Sequence, residues 1–465
     1  MHYQSARLQS ALRSRQQQVE LLWWSLNFLR RQTIGLPLTL PAYLKALSLA
    51  QARLYWQPRK AHNKLFLSLC LNYREAAYLH DKIGCGIPDN GLFMKESKSS
   101  ALETRLGNDF LTALSAEPAL TAWQQRRHLI NACDLSLDEL SLQLALVGLY
   151  KKHKAHLAAP LAVLNDKTIA TLFYENSTRT KSSFDLAARK LGATVLHLDV
   201  KTSSVAKGET LLDTALNLSA MGVNAVVMRH SQAGAPDQLA QALDQTLPKV
   251  KDHARPKAMS VLNAGDGNKS HPSQGLLDLY TILEKLDRLP VFAASSIDKS
   301  IKGKLNSETL SDIKIAIVGD ILHSRVARSD FQLLSKLGCS VHFAGPETLL
   351  PKSLEAELGG SHHHNLKDAL SGADFIVALR IQLERQEQGL IKIDDYVKEF
   401  QLDHQKLKLC KPEVKLLHPG PVNRGIEITE DLADDQDLSL ILSQVTNGVL
   451  TRMAALTLLL ASESP

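Results

Sequence analysis

Leu172-Phe-Tyr-Glu-Asn-Ser-Thr-Arg-Thr-Lys-Ser-Ser-Phe-Asp-Leu-Ala-Ala-Arg-Lys-Leu191 is the stretch that decides the fold. It leaves an apolar and β-branched run, Thr168 to Tyr174, that reads as a buried strand. It then crosses the polar knot Glu175-Asn176-Ser177-Thr178-Arg179-Thr180. Beyond the knot, Phe184, Leu186, Ala187, Ala188 and Leu191 recur at helical spacing, so a helix starts near Ser177 or Thr178. A helix N-terminus presents unpaired N–H groups and the positive end of its dipole, which suits an anion. Three hydroxyls and a guanidinium in that first turn add neutral donors and a bidentate fork of the kind a phosphate takes. A single serine or threonine there would be read as an ordinary cap; the whole string is much more specific.

Outward from this stretch, strand and helix patterns alternate. Apolar or β-branched runs fall at 167–174, 193–199, 224–229, 260–264, 313–319, 340–344, 374–380 and 414–417. Helical stretches lie between and after them, including Glu209–Ala220, Pro272–Leu286, Val326–Leu337 and Ile441–Leu460. Such alternation implies an α/β protein with parallel sheets, helices on both faces, and ligands at the carboxyl ends of the strands. There are too many strands for one ordinary sheet, so two doubly wound domains are expected, the first over 126–288 and the second over 289–440. The break falls in Leu289 to Asp312, a polar stretch without periodicity, and the terminal helix, 441–462, is expected to pack back on the first domain. Ser136 and Glu139 form a capping-box pattern that opens a helix running to about Lys154.

Residues 1–120 differ from the rest. Residues 1–60 hold nine Lys/Arg against one acid, Glu20, a charge of +8 in a chain whose total is +6. The basicity therefore belongs to an appendage and does not mark a nucleic-acid surface on the body. All four tryptophans lie at or before Trp123. The segment is mostly helical in pattern. A docking domain, a transit peptide for organellar import and an over-extended start all remain open readings. The five cysteines are scattered without a CxxC pair, which points to a reducing, cytoplasmic setting with neither a disulfide framework nor a zinc knuckle. No run approaches the roughly 18 apolar residues of a membrane helix.

Further motifs follow in order: Thr202-Ser-Ser-Val-Ala-Lys-Gly-Glu-Thr-Leu-Leu-Asp213, with Ser204 and Lys207; Met228-Arg-His230; Asn263-Ala-Gly-Asp-Gly-Asn-Lys-Ser-His-Pro-Ser-Gln274; Gly319-Asp-Ile-Leu-His-Ser-Arg325; Ala378-Leu-Arg-Ile-Gln382; and His418-Pro-Gly-Pro421. From about Arg126 onward, this series resembles the catalytic chains of aspartate carbamoyltransferases. The Gly319 turn has no G-x-G-x-x-G, which argues against a dinucleotide. His418-Pro-Gly-Pro421 and the arginine pair Arg325 and Arg380 fit a dicarboxylate acceptor better than ornithine. An ornithine carbamoyltransferase-like enzyme and a catalytically silent scaffold are the alternatives.

The resemblance implies transfer of a carbamoyl group from carbamoyl phosphate to L-aspartate in pyrimidine biosynthesis, without cofactor or metal. It implies that Ser177, Thr178, Arg179 and Thr180, with Ser204 and Lys207, hold the phosphate. Thr180, Arg229 and His271 would polarise the carbamoyl carbonyl, and Gln274 with the Gly420 and Pro421 carbonyls would take its NH2. Arg325, Arg380, Gln382 and Lys207 would bind aspartate. It further implies a homotrimer in which Ser204 and Lys207 reach a neighbouring subunit's site. Regulatory or dihydroorotase-like partner subunits are left open. His362-His-His364 resembles a metal tract but has no acidic or cysteine partner at ligand spacing, and is expected in a surface loop. Longer surface loops are expected near 249–257 and 289–311.

Overall fold

The computed structural model describes residues 117–198, 209–247, 259–293, 300–382 and 391–461. The extension's first 116 residues, Ser204, Lys207 and the loop near 249–257 lie outside them. Two parallel sheets carry the fold. The first contains β1 (Thr168–Phe173), β2 (Thr194–Leu198), β3 (Ala225–His230) and β4 (Ser260–Asp266), in the order β2-β1-β3-β4. Ile169 stands opposite both Val195 and Ala225 in this register. Its central strands are almost wholly buried, as runs such as Ala-Val-Val-Met require when helices cover both faces.

The second sheet contains β7 (Lys314–Val318), β8 (Ser340–Ala344), β9 (Ser361–His363), β10 (Phe375–Ala378) and β11 (Lys415–Leu417), in the order β11-β10-β7-β8-β9. Between the sheets in sequence, β5 (Val291–Phe292) and β6 (Ile301–Lys302) form an antiparallel hairpin. The aperiodic stretch after Leu289 gives no warning of it, because two-residue strands are too short to show alternation. The hairpin packs against α1 (Leu137–Lys152) of the first half, and Leu305 N–H donates to Ser141 Oγ at 2.9 Å. It is thus tied to the first half rather than left as a free surface loop.

In each sheet the order in which strands are added reverses beside the middle. In the first sheet this switch lies between β1 and β3, and in the second between β10 and β7. The carboxyl end of β3 carries Arg229, and the segments after the other three strands carry the Ser-Thr-Arg-Thr string, Arg325 and Arg380. A crevice outside such a switch is where open α/β sheets bind ligands.

Four helices set the floor. They are α2 (Thr178–Lys190), α3 (Pro272–Lys285), α4 (Arg325–Lys336) and α5 (Ile441–Leu460). α5 packs against α1, α2 and α3. It is apolar nearly all round, so it is buried nearly all round. Two bonds tie it to its neighbours: Asn447 Nδ2 donates to Thr281 Oγ1 at 3.0 Å, and Gln143 Nε2 donates to the Thr451 carbonyl at 2.9 Å. α1 opens with the expected capping box, in which Ser136 N–H donates to Glu139 at 2.8 Å.

The histidine tract departs from the sequence expectation. Ser361–His363 is not a loop but the edge strand β9, paired with β8. His363 stacks on His342 with ring centroids 5.1 Å apart, and their ring nitrogens lie 2.9 Å from each other. The pairing is long-range, so local polarity gave no sign of a strand. Burial and Lys314 push His342 down to about 4.

Candidate active site

One pocket opens where the two switch points face each other. All twelve site residues expected from the sequence that lie among the described residues line it: Ser177, Thr178, Arg179, Thr180, Arg229, His271, Gln274, Arg325, Arg380, Gln382, Gly420 and Pro421. Ser204 and Lys207 fall outside the described residues.

The first wall is the N-terminus of α2. Its N-cap, Ser177, is extended, makes no side-chain capping bond, and has no acid in the turn that follows. The donors of the first turn are therefore left for an incoming anion. Arg179 crosses to the Gly420 turn. A Cβ at Gly420, where φ is +62°, would sit only 1.9 Å from Arg179 Nη1, so the backbone there must be glycine for the guanidinium to lie as it does.

The second wall joins the two halves through Glu175. This carboxylate accepts from Arg229 Nη2 at 2.7 Å and from Arg325 Nη2 at 2.8 Å. Arg229 ends β3, while Arg325 opens α4 and is buried. Both guanidiniums pass over Gly265, whose absent Cβ would stand 3.0 Å from Arg229 Nη1 and 3.1 Å from Arg325 Nη1.

His271 is the N-cap of α3, but its ring makes no capping bond and its buried Nδ1 has no hydrogen-bond partner. Its backbone N–H donates to Ser329 Oγ on α4 at 2.9 Å. Burial, then Arg229, Arg452, Arg325 and Arg179, hold its pKa well below 6.5. The ring is neutral at physiological pH and can donate or accept, but carries no proton to give up. An NMR titration is expected to show this imidazole protonating well below 6.5; protonation near 6.5 would contradict the site's electrostatics. The unfolded chain takes up a proton below 6.5 and the folded one does not, so His271's contribution to stability falls as pH drops through 6.5.

The third wall is the turn after β11. His418 is buried, its N–H donates to Gln444 Oε1 at 2.8 Å, and its Nδ1 accepts from Gly420 N–H at 2.7 Å. Asn423 Nδ2 donates to the Ile381 carbonyl at 3.2 Å, locking this turn to the segment of Arg380 and Gln382. Gln382 is itself anchored: its Nε2 donates to the His323 carbonyl at 3.0 Å, and its N–H to Asp320 at 3.2 Å.

Four contributors escape the sequence reading. Glu175 lies inside the quoted motif, yet nothing in the sequence pairs it with its two arginines. Asp278 and Gln444 sit on helix interiors and are visible only as polar residues in apolar runs. Arg452 is one cation in the almost continuous apolar helix α5. It is buried, donates to Ser183 Oγ at 3.0 Å, and lies over the Phe184 ring at 5.1 Å. Burial, with Arg179 and Arg229 nearby, lowers its pKa to about 9. With Arg179, Arg229, Arg325, Arg380 and Arg452 around one pocket and Glu175 as the single acid among the described residues lining it, the site is built for a multiply charged anion.

Comparison with known proteins agrees with this geometry. Residues 127–284 match the carbamoyl-phosphate-binding domain of aspartate/ornithine carbamoyltransferases, and residues 311–459 match their Asp/Orn-binding domain. The aspartate carbamoyltransferase catalytic subunit of Acaryochloris marina is 45% identical over 342 residues, which cover 73% of this chain and 98% of that protein. This chain belongs to the aspartate/ornithine carbamoyltransferase family. The catalytic subunit from a Synechococcus species is likewise 45% identical, over 72% of this chain and 97% of its own length. Among solved carbamoyltransferases, the ornithine enzyme of Pyrococcus furiosus aligns over 73% of this chain and 98% of its own, with 26% identity and a TM-score of 0.58. The extension lies outside both family matches. No described helix is long and apolar enough to cross a membrane.

Proposed function

We infer that this family member is an aspartate carbamoyltransferase, converting carbamoyl phosphate and L-aspartate to N-carbamoyl-L-aspartate and phosphate in pyrimidine biosynthesis. The observation that carries this reading is the gathering of the five arginines and neutral His271 in one pocket, at the site where the family's two domains meet.

Catalysis is by positioning and electrostatics. Ser177, Thr178, Arg179 and Thr180 take the phosphate at the α2 N-terminus. Arg229, His271 and Thr180 face the carbamoyl oxygen and stabilise the charge that grows there as the aspartate amine attacks. Neutral His271 serves as a hydrogen-bond donor, not as an acid. Gln274 and the Gly420 and Pro421 carbonyls take the carbamoyl NH2. Arg325, Arg380 and Gln382 bind the acceptor's carboxylates. The amine's proton passes to the departing phosphate as the C–O bond breaks, so no enzyme-bound covalent intermediate is required.

The test is formation of N-carbamoyl-L-aspartate and phosphate by the purified chain, with ornithine as the control acceptor. Turnover with ornithine and none with aspartate would overturn the reading.

We place the protein in the cytoplasm as a homotrimer with shared sites, in which Ser204 and Lys207 complete the pocket of a neighbour. The motif around Lys207 supports this, and exposed Leu186, Leu442 and Val445 offer apolar surface beside the pocket. Mixing inactive Lys207→Ala subunits with inactive Arg229→Ala subunits is expected to restore part of the activity, since some mixed interfaces regain a whole site. Mixed trimers of verified composition that stay inactive would rule out sharing.

A further inference from the structure

Behind the pocket, α3 and α4 pack together and bring two buried acids close enough to interact. Asp278 is on α3 and Asp330 on α4, and both are fully buried. Asp278 is well supplied with donors. Gln274 Nε2 lies 3.1 Å from each of its oxygens, and Gln444 Nε2 donates to Oδ1 at 2.6 Å. Arg452 on α5 and Arg179 on α2 add positive charge on its side. Asp330 has no such supply; neither of its oxygens meets an N–H or hydroxyl donor. Two interacting buried carboxyls cannot both be ionised, so they share one proton. It resides on Asp330, whose pKa is pushed well above the usual range by burial and by Asp278. Burial raises Asp278 only to about 6, because Gln444, Gln274 and Arg452 favour its charged form, so at neutral pH it stays an ionised acceptor.

That state has a directional consequence. An ionised carboxylate accepts and never donates, so it fixes which end of each neighbouring carboxamide turns toward it. Gln274 gives Asp278 its NH2 end, which leaves its carbonyl oxygen for the pocket it lines. Gln444 does the same, and its own oxygen accepts from His418 N–H at the head of the Gly420 turn.

We propose that Asp278 is a positioning residue that aims the Gln274 carbonyl oxygen into the pocket and so makes the site read the NH2 of the carbamoyl group. Asp330 is its proton-bearing partner. The inference rests on the functional reading above and deepens it, because selection for NH2 is assigned to a residue that never touches substrate.

Acetyl phosphate, which carries a methyl where carbamoyl phosphate carries NH2, is the discriminating probe. Asp278→Asn lets the Gln274 carboxamide turn over, presenting N–H to N–H. It is expected to lower kcat/KM for carbamoyl phosphate about 10- to 100-fold, with inhibition by acetyl phosphate changed less than about threefold, since the methyl makes no such bond. Gln274→Ala should do the same, and the double variant should lose no more than either single one, because Asp278 acts through Gln274. Asp330→Asn is neutral as well and is expected to keep the selectivity of carbamoyl over acetyl phosphate. If Asp278→Asn does not fold, Asp278→Ser takes its place in the same cycle. Additive losses, or equal weakening of both phosphates, would reduce Asp278 to a packing role and overturn the proposal. Wild-type protein that forms no N-carbamoyl-L-aspartate would overturn the functional reading and this inference together; an active wild type with an additive cycle would overturn this inference alone.

Discussion

Arg380→Ala is expected to cut kcat/KM for aspartate by about 10²- to 10³-fold while leaving the KM for carbamoyl phosphate within a few-fold of wild type. Arg380 follows the carboxyl end of β10 in the second sheet and lines the pocket. Removing one partner of a desolvated guanidinium–carboxylate pair costs about 3–5 kcal/mol, mostly through the carboxylate left without a partner. The loss should therefore follow the substrate that brings that carboxylate. Steady-state kinetics with each substrate varied in turn decides the matter, and equal weakening of both would remove Arg380 from acceptor binding.

Glu175→Ala should be the most damaging change at the junction of the two halves. It leaves Arg229 and Arg325 facing each other, with side chains only 12% and 7% exposed, and takes away the carboxylate that both address. Stranding a buried charge costs several kcal/mol, but Glu175 is itself about a quarter exposed, so solvent will screen part of it. The expected loss is roughly 2–4 kcal/mol, divided between denaturant stability and kcat/KM for aspartate. Glu175→Gln, which keeps one acceptor oxygen, should fall between the wild type and alanine. An alanine variant with wild-type stability and kinetics would mean that the two arginines hold position without it.

The contrast between these residues shows where sequence is informative. The four strands that deliver the site read clearly, since a parallel sheet covered on both faces demands unbroken apolar runs. The residues at their carboxyl ends were legible because several rare polar strings occur in a fixed order. α5 was legible to the residue, as an apolar run too long for a strand. Where the signal failed, the cause was long-range. β9 exists because β8 offers its edge, and the β5–β6 hairpin because α1 offers a face. Glu175, Asp278, Gln444 and Arg452 gain their meaning only from partners up to 269 positions away, as with Arg452 and Ser183. Polar residues in apolar helices are the one trace such partners leave in the sequence, and they mark burial without saying what is met there.

The opposed switch points have a further consequence for how such a catalyst can change. On the proposed reading, loops of the first sheet meet the donor phosphate and loops of the second meet the acceptor's carboxylates, with Glu175 and the Gly420 turn between them. A lineage could then revise the identity of its nucleophile by rewriting the short segments 320–325 and 380–382, while the Ser177–Thr180 turn and the Gly420 turn that take the electrophile are left untouched. The same partition gives an engineer a boundary along which to cut, with one half kept as a fixed carbamoyl dispenser and the other treated as an exchangeable recognition module.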